Sequence, residues 1–323
     1  MEKKDLKLIV QIPCLNEENT LPITLRDIPR QIEGISKVEI LVIDDGSTDR
    51  TGEVAKACGV EHIIRFAKTR GLARAFDAGI DAALKLGADI VVNTDADNQY
   101  RGEDIAKLVK PILERRADIV VGCRDIDNIK HFSLLKKKLQ KLGSWVVRQI
   151  SGTSMPDATT GFRAYDKRAL LEINIVSNFS YTLETIIEAG NKNLAIATVF
   201  VRVNEPLRKS RLFKNSFQYI IKSAGTILRI YTMYEALKVF LAIGLAIFSG
   251  GFIIFLRYIY FYIFNLNPAG HVQSLIFATV LLLLGFQIMV FGFVADLISS
   301  NRKLLEDALV KVKKIELSNM KRD

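Results

Sequence analysis

Over roughly the first two hundred residues, short β-branched runs alternate with segments whose apolar positions return every three or four residues. Leu6–Ile12, Val38–Ile43, Glu61–Phe66, Asp89–Asn93 and Asp118–Val121 read as strands, each rich in Ile and Val. Between them, Leu21–Gln31, Thr51–Ala57, Leu72–Leu86 and Asp104–Arg115 carry helical periodicity. Strand and helix in strict alternation predict an α/β domain with a mostly parallel sheet and helices on both faces. The pattern then changes. Phe213, Phe217, Ile220, Ile221, Ala224, Ile227 and Leu228 line one helical face while Lys214, Lys222 and Arg229 fall elsewhere, as in a helix lying in a membrane interface.

From Val239 to Leu256 there are 18 residues without a formal charge, and from Val272 to Ala295 there are 24. At 1.5 Å per residue these make helices of roughly 27 and 36 Å, enough to cross a hydrocarbon core of about 30 Å. Two such runs predict a membrane hairpin, with Arg257 near its outer end able to snorkel to the interface. A last amphipathic stripe, Leu304, Leu305, Ala308, Leu309, Val312 and Ile315, runs among lysines. The expected organisation is an α/β domain over residues 1–206, an interfacial segment over 207–234, two spans within 235–298 and an amphipathic tail over 299–323.

Charge orients this arrangement. Residues 202–238 hold Arg202, Arg208, Lys209, Arg211, Lys214, Lys222, Arg229 and Lys238 against Glu205 and Glu235, whereas the turn Asn265–Gly270 carries no Lys or Arg. The positive-inside rule places the globular part and the tail on the cytoplasmic side of a cell membrane crossed twice. The formal net charge of +10 is explained by this collar rather than by nucleic acid. Residues Met1 to Leu15 are charged and then strand-like, without a signal peptide's cleavage pattern. Cys14, Cys58 and Cys123 show no paired spacing, which fits a reducing compartment and no zinc site.

The candidate chemistry sits at strand ends. Val91-Val92-Asn93 runs into Asp95-Ala96-Asp97-Asn98-Gln99, two carboxylates followed by a carboxamide. Oxygen ligands at the carboxyl end of a parallel strand suit a hard divalent cation bound together with substrate phosphates. If the chain stays extended, alternation points Asp95 and Asp97 to the same side. The second strand ends in Asp44-Asp45-Gly46-Ser47-Thr48-Asp49, where Ser47 or Asp49 can cap a helix and a carboxylate can meet a ribose or base. The first ends in Pro13-Cys14-Leu15-Asn16-Glu17-Glu18. Acids gathered on one rim are costly to assemble unless a cation or hydrogen-bonding ligand sits there.

Pro13-x-x-Asn16-Glu17-Glu18, Asp44-Asp45-Gly46-Ser47-Thr48-Asp49, Arg70-Gly71-Leu72-Ala73-Arg74-Ala75 and Asp95-Ala96-Asp97-x-Gln99, in this order, resemble family 2 glycosyltransferases of the GT-A (Rossmann-like) fold. Gly161-Phe162-Arg163-Ala164-Tyr165 and Arg208-Lys209-Ser210-Arg211-Leu212 resemble its dolichol-phosphate-mannose synthase-like branch, which transfers a sugar from a nucleotide diphosphate to a polyprenyl phosphate. The resemblance covers roughly residues 7 to 230, and the hairpin that follows is similar to bacterial and archaeal members. It implies that Pro13, Leu15, Glu17, Ile43, Asp45 and Ala96 line the donor nucleotide, and that Asp95, Asp97 and Gln99 hold Mg²⁺ or Mn²⁺. Asp97 and Arg124 would be catalytic, Arg124 and Lys136 would meet the acceptor phosphate, and Arg208 and Arg211 would clamp the diphosphate.

Two departures bear on the substrates. Where the mannose synthases continue Asp-Ala-Asp-Leu-Gln-His-Pro-Pro, this chain reads Asp95-Ala96-Asp97-Asn98-Gln99-Tyr100-Arg101-Gly102. Lys136 and Gln140 stand where the branch has Arg-x-x-x-Ser. The expected donor therefore leans from mannose toward a UDP-linked glucose or N-acetylglucosamine; the expected acceptor is a dolichyl or undecaprenyl phosphate. The basic stretch Lys130–Arg148, with six basic residues and no acid, suits that acceptor's charge. The pattern is compatible with an oligomer. A processive polysaccharide synthase is the alternative enzyme, but Trp145 follows Ser144 rather than completing Gln-x-x-Arg-Trp. A non-catalytic scaffold that binds nucleotide sugar would have little reason to retain the acidic rim.

Overall fold

The computed structural model describes residues 5–124, 157–175, 181–205, 235–264 and 271–320, with isolated positions at 144, 145, 148, 155, 225, 229 and 232. Lys136, Gln140, Arg208, Arg211, the Phe213–Leu228 helix apart from Gly225, and the Asn265–Gly270 turn lie outside these residues. The chain divides into two compact units: Met1–Ile227 together with Leu309–Asp323, and Leu228–Ala308.

The first unit is built on a seven-stranded sheet. Its strands are β1 (Lys7–Cys14), β2 (Lys37–Asp44), β3 (His62–Arg65), β4 (Ile90–Asn93), β5 (Ile119–Arg124), β6 (Arg163–Asp166) and β7 (Ile196–Val201), in the order β3-β2-β1-β4-β6-β5-β7. All neighbours run parallel except β6, which is antiparallel to both β4 and β5. β1 and β2 are near-continuous apolar runs because helices cover the sheet on both faces. The helices of this unit are α1 (Leu21–Asp27), α2 (Thr51–Ala57), α3 (Leu72–Lys85), α4 (Ile105–Leu113), α5 (Lys167–Glu172) and α6 (Tyr181–Asn191).

The α/β architecture is the one the alternation predicted, with instructive differences at the ends. α1 stops at Asp27 rather than Gln31, because Pro29 forces Ile28 out of helical geometry to ψ 120°. A 3₁₀ turn, Gly102–Asp104, feeds α4, which ends at Leu113. β6, β7, α5 and α6 carried no signal strong enough to be read as elements in advance. Arg202, counted in the basic collar, pairs with Glu103 at 2.5 Å and with Asp104 at 3.5 Å, and so secures the exit of β7.

The second unit holds α7 (Ala236–Ile263) and most of α8 (Val272–Asn319), of 28 and 48 residues. Both contain stretches of mean hydropathy above 2 and are long enough to cross a bilayer. A soluble core helix of this composition would be buried all round. Here the large residues, among them Ile253, Tyr262, Leu283 and Leu297, are exposed. What α8 buries is Ala278, Gly285, Gly292, Ser299 and Glu306, a stripe with a spacing of seven. It meets Gly244 and Gly251 of α7, and a Cβ on Gly285 would fall 2.6 Å from the Phe248 nitrogen and 2.8 Å from the Gly244 carbonyl oxygen. The two backbones touch, as small residues allow in membranes.

α8 runs without a break to Asn319, and its last turns belong to the first unit. There Lys313 Nζ donates to Asn174 Oδ1 at 3.1 Å, and Glu316 pairs with Lys85 at 3.2 Å.

Candidate active site

The carboxyl ends of β1, β2 and β4 lie side by side, with Cys14 opposite Asp44 and Gln11 opposite Asn93. The loops that leave them are therefore neighbours, and they are laced together. Asn16, at φ +56°, has its N–H bonded to Ser47 Oγ at 2.9 Å, and the Glu17 N–H reaches Thr51 Oγ1 at 2.8 Å. Glu17 is buried and accepts from the Thr20 hydroxyl at 2.6 Å.

Two acids of this rim, Asp44 and Asp45, are engaged by neighbouring groups of the protein. Asp44 Oδ1 accepts from the Ser47 N–H at 2.8 Å, and Oδ2 faces Arg65 at 3.3 Å. Asp45 accepts from two consecutive backbone groups, Arg70 N–H at 2.7 Å and Gly71 N–H at 2.9 Å. It thereby closes the segment before α3 onto the β2 loop. Gly46, at φ +74°, makes this approach feasible: a Cβ there would lie 2.6 Å from the backbone of Lys68 and Thr69. An open cleft of about 360 Å³ lies alongside, lined by Gly46, Ser47, Thr48, Arg65, Phe66 and Ala67. The Arg70 guanidinium stacks 4.8 Å above the Phe66 ring at its edge.

At β4 the strand ends at Asn93, and Ala96-Asp97 form a turn. Extended-chain alternation therefore does not govern Asp95 and Asp97. The turn does: Asp97 Oδ1 accepts from the Gln99 N–H at 3.2 Å, Asn98 sits at φ +54°, and the Ala96 carbonyl is held by Thr24 Oγ1 at 3.0 Å. Asp95, Asp97 and Gln99 are half-buried, poised between core and solvent. Among the described residues no group of three His, Cys, Asp or Glu is arranged to hold a metal by itself. Two carboxylates and a carboxamide are nonetheless hard oxygen donors of the kind Mg²⁺ or Mn²⁺ takes when substrate oxygens complete its shell.

β6 supplies the wall opposite. An antiparallel strand enters the sheet where its parallel neighbours leave it, and Arg163, the first residue of β6, pairs with Asn93, the last of β4. Residues 157–162 must then lie beyond the same edge as Asp95. Arg163 fixes them: fully buried, it donates to the carbonyls of Thr160 at 2.9 Å and Ala158 at 2.9 Å, and to Thr185 Oγ1 at 2.6 Å. Arg124, at the end of β5, meets Asp157 through Nε at 2.8 Å and Nη2 at 3.3 Å, and Thr159 Oγ1 at 2.9 Å.

Burial disfavours the Arg124 charge, but Tyr100, Asp157 and Asp95 around it outweigh that and raise its affinity for the proton. Burial likewise pushes the Asp157 carboxyl up, and Arg124 overcomes it and holds Asp157 below the usual carboxylate range. Burial raises the Tyr100 phenol to about 12 and the Cys123 thiol to about 11, so both stay protonated at neutral pH. Cys14 is raised by burial as well, which leaves neither buried cysteine as a thiolate nucleophile.

Of the residues singled out from the sequence, Pro13, Ile43 and Ala96 are buried and form the floor behind the loops. Leu15 is 38% exposed on the rim, Glu17 and Asp45 are buried within it, and Arg124 reaches the same edge beside Asp157. Asp157, Thr159 and Tyr181 were not anticipated, and Gly161 and Asn93 were part of quoted segments but carried no assigned role. The available signal for Asp157 was its place four residues before Gly161-Phe162-Arg163, a segment already recognised.

Residues 9–173 match the family model described as glycosyl transferase family 2. The chain belongs to this family. An undecaprenyl-phosphate mannosyltransferase of Micrococcus luteus is 31% identical over 176 residues, 53% of this chain and 70% of that protein. A UDP-N-acetylglucosamine–dolichyl-phosphate N-acetylglucosaminyltransferase of Methanococcus voltae is 31% identical over 185 residues, 51% of this chain and 72% of that protein. Among solved structures, glucosyl-3-phosphoglycerate synthase of Mycobacterium tuberculosis, crystallised with Mn²⁺, UDP and glucosyl-3-phosphoglycerate, superimposes with a TM-score of 0.56 at 18% identity. That match covers 71% of this chain and 80% of the other, and establishes the GT-A-like fold of the catalytic unit.

Proposed function

We propose that this protein is a membrane-bound inverting glycosyltransferase that moves one sugar from a nucleoside-diphosphate donor to a polyprenyl phosphate. The observation that carries the reading is the meeting, at one sheet edge, of the β1 and β2 loops, the Asp95–Gln99 turn and the Arg124–Asp157 pair. The same chain carries two exposed, bilayer-length apolar helices. The two family relatives named above act on different sugars, yet both act on a polyprenyl phosphate. We assign this chain the same acceptor class, a dolichyl or undecaprenyl phosphate, and a UDP-linked glucose or N-acetylglucosamine as donor.

Asp95, Asp97 and Gln99 would hold Mg²⁺ or Mn²⁺, a cation that neutralises charge on the departing diphosphate. Leu15, Glu17 and Asp45 shape the donor side, with Pro13, Ile43 and Ala96 as its floor, and Arg208 and Arg211 clamp the diphosphate. Arg124 orients the acceptor phosphate together with Lys136, and Asp157 holds the Arg124 fork in place. The acceptor is already ionised, so its oxygen attacks the anomeric carbon without a strong general base. The bond from that carbon to the donor diphosphate breaks, and the configuration inverts. The protein's task is orientation and charge placement. The basic residues between 202 and 238 and the uncharged turn at 265–270 set the catalytic unit on the cytoplasmic face.

The test is a panel of labelled nucleotide sugars offered to the full chain in liposomes with undecaprenyl or dolichyl phosphate. Label should enter the lipid phase from one or two donors, only with divalent cation present. Label that remains water-soluble with every donor would contradict the assignment.

A further inference from the structure

Behind Asp95 runs a line of fully buried polar groups that this chemistry leaves without a task. Gln11, inside β1, donates through Nε2 to Asn93 Oδ1 at 3.0 Å. Asn93 passes both of its own N–H groups onward, to the Gly161 carbonyl at 2.9 Å and to Tyr181 Oη at 2.8 Å. Gln11, Asn93 and Tyr181 are all 0% exposed, in a part of the sheet where a parallel pair normally carries Val, Ile or Leu. The arrangement is costly: Gln11 Oε1 is buried with no hydrogen-bond partner among the described residues. A core designed for stability alone would be apolar here.

The line ends at the metal turn. The Tyr181 ring is immobilised by stacking on Phe76, with centroids 3.9 Å apart and planes 10° from parallel, and Tyr165 meets Phe76 edge-on. Its hydroxyl accepts from Asn93, and its contact as a donor, to the Gly161 carbonyl, is long at 3.4 Å. A Cβ on Gly161 would fall 2.7 Å from Tyr181 Oη and 3.1 Å from Asp95 Oδ1. Hydroxyl and carboxylate thus converge on one bare Cα.

We propose that Tyr181, held by Asn93 and Gln11 and stacked on Phe76, is a positioning residue that fixes the Asp95 carboxylate for a divalent cation. Gly161 provides the gap in which the two meet. The inference rests on the reading of Asp95 and Asp97 as metal ligands. Its physical content is that the Tyr181 hydroxyl and the narrow gap at Gly161 confine the Asp95 carboxylate from outside its ligand shell, and that losing an outer group of this kind weakens metal binding by about 10- to 100-fold. The stacked ring delivers the hydroxyl without rotamer freedom to lose.

The experiment measures Mn²⁺ binding to the full-length protein in detergent at saturating UDP, by electron paramagnetic resonance, alongside UDP binding without metal and thermal melting. Tyr181→Phe keeps the stack and removes only the hydroxyl. It should weaken Mn²⁺ binding about 10-fold, leave metal-free UDP binding unchanged, and melt within about 5 °C of the parent. Gly161→Ala, which puts a methyl group into the gap, should shift Mn²⁺ affinity in the same direction. Mn²⁺ affinity within about twofold of the parent in either folded variant overturns the proposal, as does a Tyr181→Phe loss that falls equally on metal-free UDP binding. Asp97→Asn separates the two levels. If it loses Mn²⁺ while Tyr181→Phe does not, only the positioning role fails; if it keeps Mn²⁺, the metal reading fails and this inference with it.

Discussion

In the catalytic unit the residues withdrawn from solvent include large ones, Leu8, Ile9, Ile40 and Phe76 at 0% exposure, while in the hairpin they are mostly small, Gly244, Gly251, Ala278, Gly285 and Gly292 among them. The hairpin turns its Leu, Ile and Phe outward. Both follow from one principle applied in two solvents. In water, burial of apolar area holds the sheet to its helices, at about 25 cal/mol per Å². In lipid that gradient vanishes, and helices associate through close backbone contact that only small residues permit. The surfaces differ as well: the catalytic unit buries polar groups such as Gln11, Asp44, Asn93 and Arg163 toward the edge where its loops gather, whereas the large residues exposed on the hairpin are apolar.

The largest effect expected concerns the polar edge. Asp97→Asn should reduce turnover by about 100-fold or more, the scale of losing one electrostatic stabiliser, with little change in melting temperature because the carboxylate is half-buried and not a packing element. Near-parental turnover with metal present would remove Asp97 from the chemistry. The packing contrast is tested next. Leu8→Ala should destabilise the catalytic unit by about 2–5 kcal/mol, while Leu283→Ala, 64% exposed on α8, should shift stability by no more than about 0.5 kcal/mol. Equal losses in thermal unfolding would show that the hairpin is packed like a soluble core.

A reciprocal substitution sharpens the point. Gly285→Leu places a side chain where even a Cβ would come 2.6 Å from the α7 backbone. It should force α7 and α8 apart, as read by loss of bifunctional-maleimide cross-linking between cysteines placed at Phe240 and Met289, each of which faces the other helix. UDP binding by the catalytic unit should persist within about twofold, since no small-residue contact contributes to that site. A folded variant whose cross-linking is unchanged would mean that the backbones do not pack through these glycines.

The smallest expected effect is a pH dependence. Burial pushes the Glu39 carboxyl up, but hydrogen bonds from Lys37, Lys7 and His62 prevail and hold it at about 2, against 4.5 for the free group. Its contribution is therefore complete above about pH 4.5 and fades as pH falls toward 2. Glu39→Gln should melt lower than the parent near neutral pH, and the gap should close on acidification through that window. A gap that widened instead would mean the ion cluster opposes folding.

How far this could be read from the sequence depends on whether the deciding force is local. Strands β1, β2 and β4 were legible because Ile and Val runs announce buried parallel strands, and the spans were legible because length and charge suffice. The stop of α1 at Asp27 was also written locally, in Pro29, and was overlooked. β6 was not legible: it is four residues long, it begins with a buried arginine, and only its antiparallel pairing with β4 gives it a place. Because β6 was hidden, so were Asp157, Tyr181 and the role of Gly161, whose importance comes from lying opposite Asp95 rather than near it in the chain. The geometry assigned to Asp95 and Asp97 presumed an extended strand, where the structure has a turn led by Asp97 and Asn98. Two acids of the rim are already engaged by the protein itself: backbone N–H groups of Arg70 and Gly71 bind Asp45, and that of Ser47 binds Asp44 Oδ1, while Asp44 Oδ2 faces Arg65. Sequence shows which groups are present; only the fold shows which of them are already engaged.

The most direct test of the account is the mass of the lipid product. The full chain, reconstituted with undecaprenyl phosphate and its preferred nucleotide sugar, should yield a lipid with the mass of polyprenyl phosphate plus a single sugar, and chelation of divalent cations should abolish that product. Lipid carrying a ladder of several sugars, or donor consumed with no sugar on the lipid, would contradict it.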